Sequence, residues 1–499
     1  MPSHSGVAHM NIKTSTNQQT TQYKLDNTKV IKIKKGLDIP IPGTAQRHTT
    51  LLFPSYDGVQ YDYAVKPTDY VGVAPRLLVS EGDDVLAGTP LFEDKNNEGV
   101  PFVSPVSGTV KAIVRGEKRK LLSVIVKASA GMQEYRSFPI ADPQNSDVDT
   151  IREILVMSGL WNSLHQRPFG IVPHKESMPK AVFISAFDSS PLPVDYDYML
   201  QYDPVLHRRD DFQWGVNALA KFAPVHLSLD ARRQRDSFFA KTENAIIHFF
   251  EGPHPAGLVG TQIARIDPIN KAQNGSWQHC SVWTINVQDV AIIGNLLRTG
   301  KYNPERAVAF CGPDVDKPAY YRLLSGSDIP STILKNGSGE QRIICGDVLS
   351  GISMKRSVDN VSSDTFISAS CDKVCFIPEG NYYDFMGWLR PNFRKYSFSH
   401  TFLSGFLGKR MKKLDFDTNR HGSQRPLFVT GEFEKLVPLD IYPMQLIKAC
   451  ITGNIDRMEE LGIYEVEPED LALCEFADTS KTEIQAAIRA GLEKIRKEG

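Results

Sequence analysis

At 499 residues the chain is too long for a single hydrophobic core, and three or four domains are expected. Hydrophobic residues make up 41% and charged residues 23%, an ordinary globular balance, and a net charge of −1 excludes a broad electrostatic hold on nucleic acid or anionic lipid. No stretch approaches the ~20 consecutive apolar residues of a spanning helix, so any membrane role is peripheral or borrowed from partners.

The first 29 residues are polar, rich in Thr, Gln and Asn, and lack the apolar center of a signal peptide; they read as a disordered leader exposed to the cytosol. From residue 30 to 135 the chain reads all-β, with turns at Gly82-Asp83, Gly88-Thr89, Pro105 and Ser107-Gly108 every eight to twelve residues. This is the pattern of a biotinyl/lipoyl-like barrel-sandwich module. Lys95 in "FEDKNN" falls near the hairpin tip where such modules carry a modified lysine. Its neighbours match neither a D-K-A nor an M-K-M site, so the module is expected to serve as structure or docking surface. The basic runs Arg115–Lys120 and Gly408–Lys413 read as solvated turns.

A linker rich in Pro, Asp and Ser (Phe138–Asp147) leads into residues 140–300. There a helix opened by a capping box Thr150-x-x-Glu153 is expected. Strands follow at Lys180–Phe187, Val225–Asp230 and Asn244–Gly252, with a helix over Asp211–Ala223. Strands alternating with helices predict a Rossmann-like, doubly wound α/β domain. After the third strand comes "EGPHPAGLVGTQ" (Glu251–Gln262), where Gly252 and Gly257 have the spacing of a phosphate loop. Leu258 and Val259 stand where its lysine and hydroxyl belong, and no G-x-G-x-x-G occurs in the domain. The stretch therefore predicts a rigid Pro-His-Pro turn with closely packed glycines. His254, Gly257 and Gly260 are its candidate ligand contacts. Asn286 is expected to cap a helix carrying Val287, Val290, Ile293 and Leu297 and stopped by Gly300, with Asp289 as a helix-dipole partner. Trp277 and Trp283 read as core or interface anchors.

Residues 301–378 read as a small β-grasp domain: a hairpin from "RAVAFCG" and "AYYRLL", then a strand in "RIICGDVLSG". Residues 379–499 are expected to be mostly helical. Their last helix is expected to start at a capping box Ser480-x-x-Glu483 and to bury Ile484, Ile488, Leu492 and Ile495. The seven cysteines contain no C-x-x-C, which argues against zinc or cubane spacing, and Cys371 and Cys375 are expected as reduced core thiols. No catalytic or metal-ligating residue is assigned.

Four separated stretches, "IKIKKGLDIPIPG" (Ile31–Gly43), "GPHPAGLVGT" (Gly252–Thr261), "WTINVQDV" (Trp283–Val290) and "EDLALCEF" (Glu469–Phe476), occur in the order of one family. From about Val30 to Gly499 the chain resembles the A subunits of bacterial Na⁺-translocating NADH:quinone reductases. "TINVQDVAIIGNLLRTG" also resembles the flavoprotein subunit of respiratory complex I and the C subunit of the Rnf complex. The glycine-rich FMN loop of those relatives is absent, and only Cys450 and Cys474 lie where their [4Fe–4S] cysteines would be. The resemblance implies a β-grasp domain of the SLBB type and a peripheral subunit on the cytoplasmic side of the bacterial inner membrane. It implies subunits B to F as partners, holding FMN, FAD, riboflavin and Fe–S centers, with ubiquinone as substrate of the complex. This subunit is expected to bind no cofactor and to be inactive alone. A scaffold without a small-molecule site, or an NADH:acceptor flavoprotein, are the alternatives.

Overall fold

The computed structural model describes residues 29–51, 61–130, 132–201, 208–269, 280–329, 340–354, 365–387, 395–398, 402, 416–423 and 425–498. Residues 1–28 of the leader, the Gly408–Lys413 run and Trp277 lie outside the described residues.

Two short strands open the described chain, β1 (Val30–Lys32) and β2 (Gln46–Leu51). Neither joins the barrel-sandwich module that follows. That module pairs β3 (Asp62–Val65), β5 (Asp84–Val85), β8 (Gly108–Arg115) and β9 (Leu121–Ala128) in one sheet. Its second sheet holds β4 (Pro75–Leu77), β6 (Pro90–Asp94) and β7 (Pro101–Val103). Phe92 and Phe102 stack between the layers at 4.7 Å.

The α/β domain is built on β10 (His165–Arg167), β11 (Val182–Ser185), β12 (Val225–Asp230), β13 (Ile246–Glu251) and β14 (Val282–Ile285). Together with β1 they form a six-stranded sheet in the order β1-β13-β12-β11-β14-β10, parallel except for β10. The chain winds outward from β11 through β12 to β13 and then crosses back to β14. The order therefore reverses between β11 and β14, which is where sheets of this kind take ligands. These central strands are short continuous apolar runs because helices cover both faces. On one face the helices Arg208–Leu219 and Val287–Thr299 pack at very short range. A Cβ on Gly215 would lie 2.0 Å from the Val290 carbonyl oxygen, and one on Gly294 would lie 1.7 Å from that of Asp211. The helix Val259–Ile266 covers the other face through Ile263 against Phe183 and Val282.

In the β-grasp domain, β15 (Glu305–Cys311) and β16 (Ala319–Leu324) form the expected hairpin. β17 (Gln341–Cys345), β18 (Ile352–Met354) and β19 (Lys373–Pro378) complete a sheet ordered β18-β17-β19-β15-β16-β2. The segment from β1 to β2 thus adds an edge strand to two sheets of different domains. The described C-terminal residues pack the helices Pro443–Thr452, Ile455–Glu460, Ala472–Ala477 and Ile484–Glu498 around Leu446, Met458, Ile488 and Leu492, with Phe169 inserted from the α/β domain.

Asn286 and Gly300 cap the helix Val287–Thr299 as expected, Asn286 accepting from the Gln288 amide. Two other helix starts differ. The first helix runs Val148–Met157 and is capped by Asp147, whose carboxylate accepts from the Thr150 amide at 2.8 Å; Thr150 lies inside the first turn. The last helix begins at Ile484, beyond Ser480, whose hydroxyl is taken by the Arg425 amide at 2.7 Å.

Candidate functional site: a cavity where four domains meet

Two cavity lobes of about 420 and 510 Å³ open at the carboxyl ends of β11 and β14. They share His165, Ser185, Tyr196, Gly257, Leu258 and Glu469 in their walls. All four domains contribute: Asp69 and Tyr70 come from the barrel-sandwich module, Ser350 and Cys371 from the β-grasp domain, and Glu469 from the C-terminal region. A wider cleft of about 660 Å³ lies over β12, lined by Arg47, Asp195, Arg233 and Gln234, and shares Phe187, Asp188 and Tyr196 with the smaller lobe.

The polar wall is largely occupied with itself. Lys373 Nζ lies 2.7 Å from Asp188 and also contacts Ser190. Burial pushes the Asp188 carboxyl upward, but Lys373 overcomes it and holds the group below its ordinary value. Asp372 accepts from Tyr196 Oη at 2.9 Å, from Gln288 Nε2 at 2.6 Å and from Asn286 Nδ2, so the cap of the helix Val287–Thr299 is tied to the β-grasp domain. Arg167 is buried and paired with Asp470 at 2.8 Å and with Glu469. Burial raises the Glu469 carboxyl above the usual range against the pull of Arg167; the 37% of its side chain open to the cavity moderates that rise. His165 has its pKa lowered to about 4, by burial first and then by Arg167. It is therefore a neutral imidazole at physiological pH, able to donate from one nitrogen and accept at the other.

The glycine stretch forms one side of this cavity, and its glycines are packing contacts. A Cβ on Gly257 would meet the Phe187 carbonyl oxygen at 2.4 Å, and one on Gly260 would meet Asp470 Oδ1 at 2.2 Å and Arg167 Nη1 at 2.5 Å. The turn's amides from His254 to Leu258 are already used. His254 N donates to Asp38 at 3.0 Å, Ala256 N to the Pro253 carbonyl at 2.8 Å, Gly257 N to Ser189 Oγ at 2.7 Å and Leu258 N to the Pro255 carbonyl at 2.9 Å. Of the three candidates in this stretch, Gly257 lines the cavity and Gly260 backs onto the Arg167–Asp470 pair. His254 is 3% exposed, places Nδ1 3.2 Å from Ser189 Oγ, and lines neither lobe. Burial lowers its pKa.

Elsewhere, Lys95 is exposed in the turn after β6, with its amide on the Ala74 carbonyl at 2.9 Å. Asp289 does sit in a first helical turn, but it is buried and ion-paired with Arg306. Trp283 is fully buried against Trp161 and Phe222. Cys371 and Cys375 are buried and carry no disulfide in the structure. Cys450 and Cys474 are also buried thiols, and among the described residues no group of three or more His, Cys, Asp or Glu is placed to hold a metal. Sequence reasoning missed His165, Tyr196 and Glu469. They stand on different elements, and although Glu469 opens the "EDLALCEF" stretch, nothing in the local pattern of the three marks them as meeting.

The sequence itself decides the family. Residues 31–129 match the NqrA N-terminal barrel-sandwich hybrid domain, 146–302 the NqrA second alpha/beta domain and 307–356 the NQRA C-terminal domain of the SLBB type. The chain is 37% identical over 478 residues to the A subunit of the Na(+)-translocating NADH-quinone reductase of Haemophilus influenzae (strain PittGG), covering 94% of this chain and 100% of that protein. The chain belongs to the NqrA family. The corresponding NqrA proteins of Glaesserella parasuis serovar 5 and Histophilus somni are 36% and 35% identical, again over 94% of this chain and all of theirs. As an NqrA chain it is one component of an oxidoreductase complex. No described helix is long and apolar enough to cross a membrane.

Proposed function

We propose that this NqrA chain serves the quinone-reduction end of the complex by holding the ubiquinone head group in the four-domain cavity, without a flavin or Fe–S center of its own. In this reading it faces the cytoplasm from the inner membrane, docked on partners among subunits B to F that carry the redox cofactors and the Na⁺ path. NADH is oxidised elsewhere in the complex, and electrons reach the quinone from those partners.

The observation that carries this reading is the character of the cavity wall. Asp69, Asp188, Asp347, Asp372, Glu467 and Glu469 line the two lobes against Lys373, Arg167 and Arg489, each of which is already ion-paired with a carboxylate. A phosphate entering here would meet more carboxylates than cations, and the amides of the adjacent turn up to Leu258 are committed to other acceptors. A flavin mononucleotide does not fit that chemistry. A neutral ring with two carbonyl acceptors does: His165 supplies a hydrogen bond, and Val71, Leu258, Val259 and Ile285 supply apolar wall.

Titration of the intact chain with a short-tailed ubiquinone analogue tests the reading. Saturable binding is expected, weakened about fivefold in His165→Ala, as loss of one hydrogen bond of ~1 kcal/mol predicts. The same titration of His254→Ala should give an unchanged affinity. Absence of saturable binding would leave the chain as a scaffold, and equal affinity in His165→Ala would place the quinone away from His165.

A further inference from the structure

Four of the seven cysteines lie in the β-grasp domain as two neighbouring pairs. Cys311 and Cys375 are register partners on β15 and β19 with their sulfurs 3.5 Å apart. They are 1% and 0% exposed and line neither lobe of the cavity. Cys345, the last residue of β17, and Cys371, in the turn before β19, pack in one core cluster and both line the cavity. The two pairs share chemistry and differ in access.

We propose that Cys345 and Cys371 are an oxidisable dithiol on the cavity wall, with Cys345 as the peroxide-reactive sulfur and Cys371 as the thiol that closes the disulfide. Cys345 is prepared for this role by its surroundings. Its sulfur accepts the Ser368 amide at 3.3 Å. The hydrogen bond from Cys371 lowers its pKa to about 7, against the opposing effect of burial, and Lys66 adds a smaller favourable charge. Cys371 is held protonated by its contact with Cys345 and by burial, and the Lys373 carbonyl, 3.1 Å from its sulfur, is the alternative acceptor for its single S–H. In the sealed pair, the contact with Cys311 and burial raise Cys375 well above the ordinary thiol value, so it offers little thiolate.

The chemistry balances with hydrogen peroxide as the two-electron oxidant. The Cys345 thiolate attacks one peroxide oxygen, the O–O bond breaks, and hydroxide leaves, giving a sulfenic acid. The Cys371 sulfur then attacks the Cys345 sulfur, the S–O bond breaks, and its proton leaves with the hydroxyl as water. The product ties the end of β17 to the turn that carries Asp372 and leads into β19 at Lys373, and so stiffens the wall opposite Asn286.

The test is peroxide treatment of the folded full-length chain, followed by non-reducing peptide mapping. A Cys345–Cys371 linked peptide, lighter by two hydrogens, is expected while Cys311 and Cys375 stay reduced. In Cys371→Ser, dimedone should trap the sulfenic acid at Cys345. In the untreated chain, iodoacetamide should alkylate Cys345 with a midpoint near pH 7 while the other buried cysteines stay unlabelled, a profile that an inert structural thiol would not give. A chain that stays fully reduced, or one that oxidises Cys311–Cys375 as fast as Cys345–Cys371, would overturn the proposal.

Discussion

At Gly260 a single methyl group would enter a space already filled by the Arg167–Asp470 pair. Asp470 is 4% exposed and Arg167 5%, and both are held by several partners, so neither can move aside cheaply. Gly260→Ala is expected to destabilise the chain by ~2–4 kcal/mol through overpacking and a disturbed buried ion pair, read as a shift of the denaturant midpoint at constant slope. His165 gives a second prediction at this scale. Its folded pKa of about 4 lies below its ordinary value of 6.5. As pH falls through that interval the unfolded chain takes up a proton that the folded chain refuses, so stability is lost on acidification. His248, on β13, is likewise lowered to about 4 and acts in the same direction. Glu469, raised by burial, acts in the opposite direction. Melting temperatures recorded from about pH 7 to about pH 4.5 should therefore fall less steeply in His165→Gln than in the parent chain.

Element starts depend on which side chain reaches the free amides first. Asp147 does so for the helix Val148–Met157, so Asp147→Ala is expected to lower the melting temperature more than Thr150→Ala does. Thermal melts of the two variants compare them directly. The helix Val287–Thr299 was fully legible because each of its signals is local: one asparagine before the apolar stripe, one glycine after it. The two misplaced starts had more than one polar residue able to cap, and at Ser480 the hydroxyl is taken by Arg425, 55 residues away. The strands at Val225–Asp230 and Ile246–Glu251 were legible as apolar runs between turn residues. β1 and β2 were read as part of the barrel-sandwich module but pair with the α/β and β-grasp sheets, because a three- or six-residue edge strand gains its place from its partner rather than from its own pattern.

For the whole molecule, the cavity exists only because four domains close on the strand-order reversal of one sheet. The reversal could be anticipated from alternating strands and helices, and the glycine turn beside it was legible as a packing turn. The rest of the wall was not, since His165, Tyr196, Ser350 and Glu469 meet across hundreds of residues and carry no shared spacing. His254 drew attention by its two flanking prolines, yet those same constraints turn its ring toward Ser189 and away from the cavity. The central claim is that this junction holds the quinone head group. An experimental structure of the chain or its complex with a bound ubiquinone analogue tests it most directly. The predicted result is a head group between β11 and β14 with a carbonyl oxygen in hydrogen-bond range of His165. A head group bound on another protein of the complex, or at another surface of this one with the junction vacant, would contradict it.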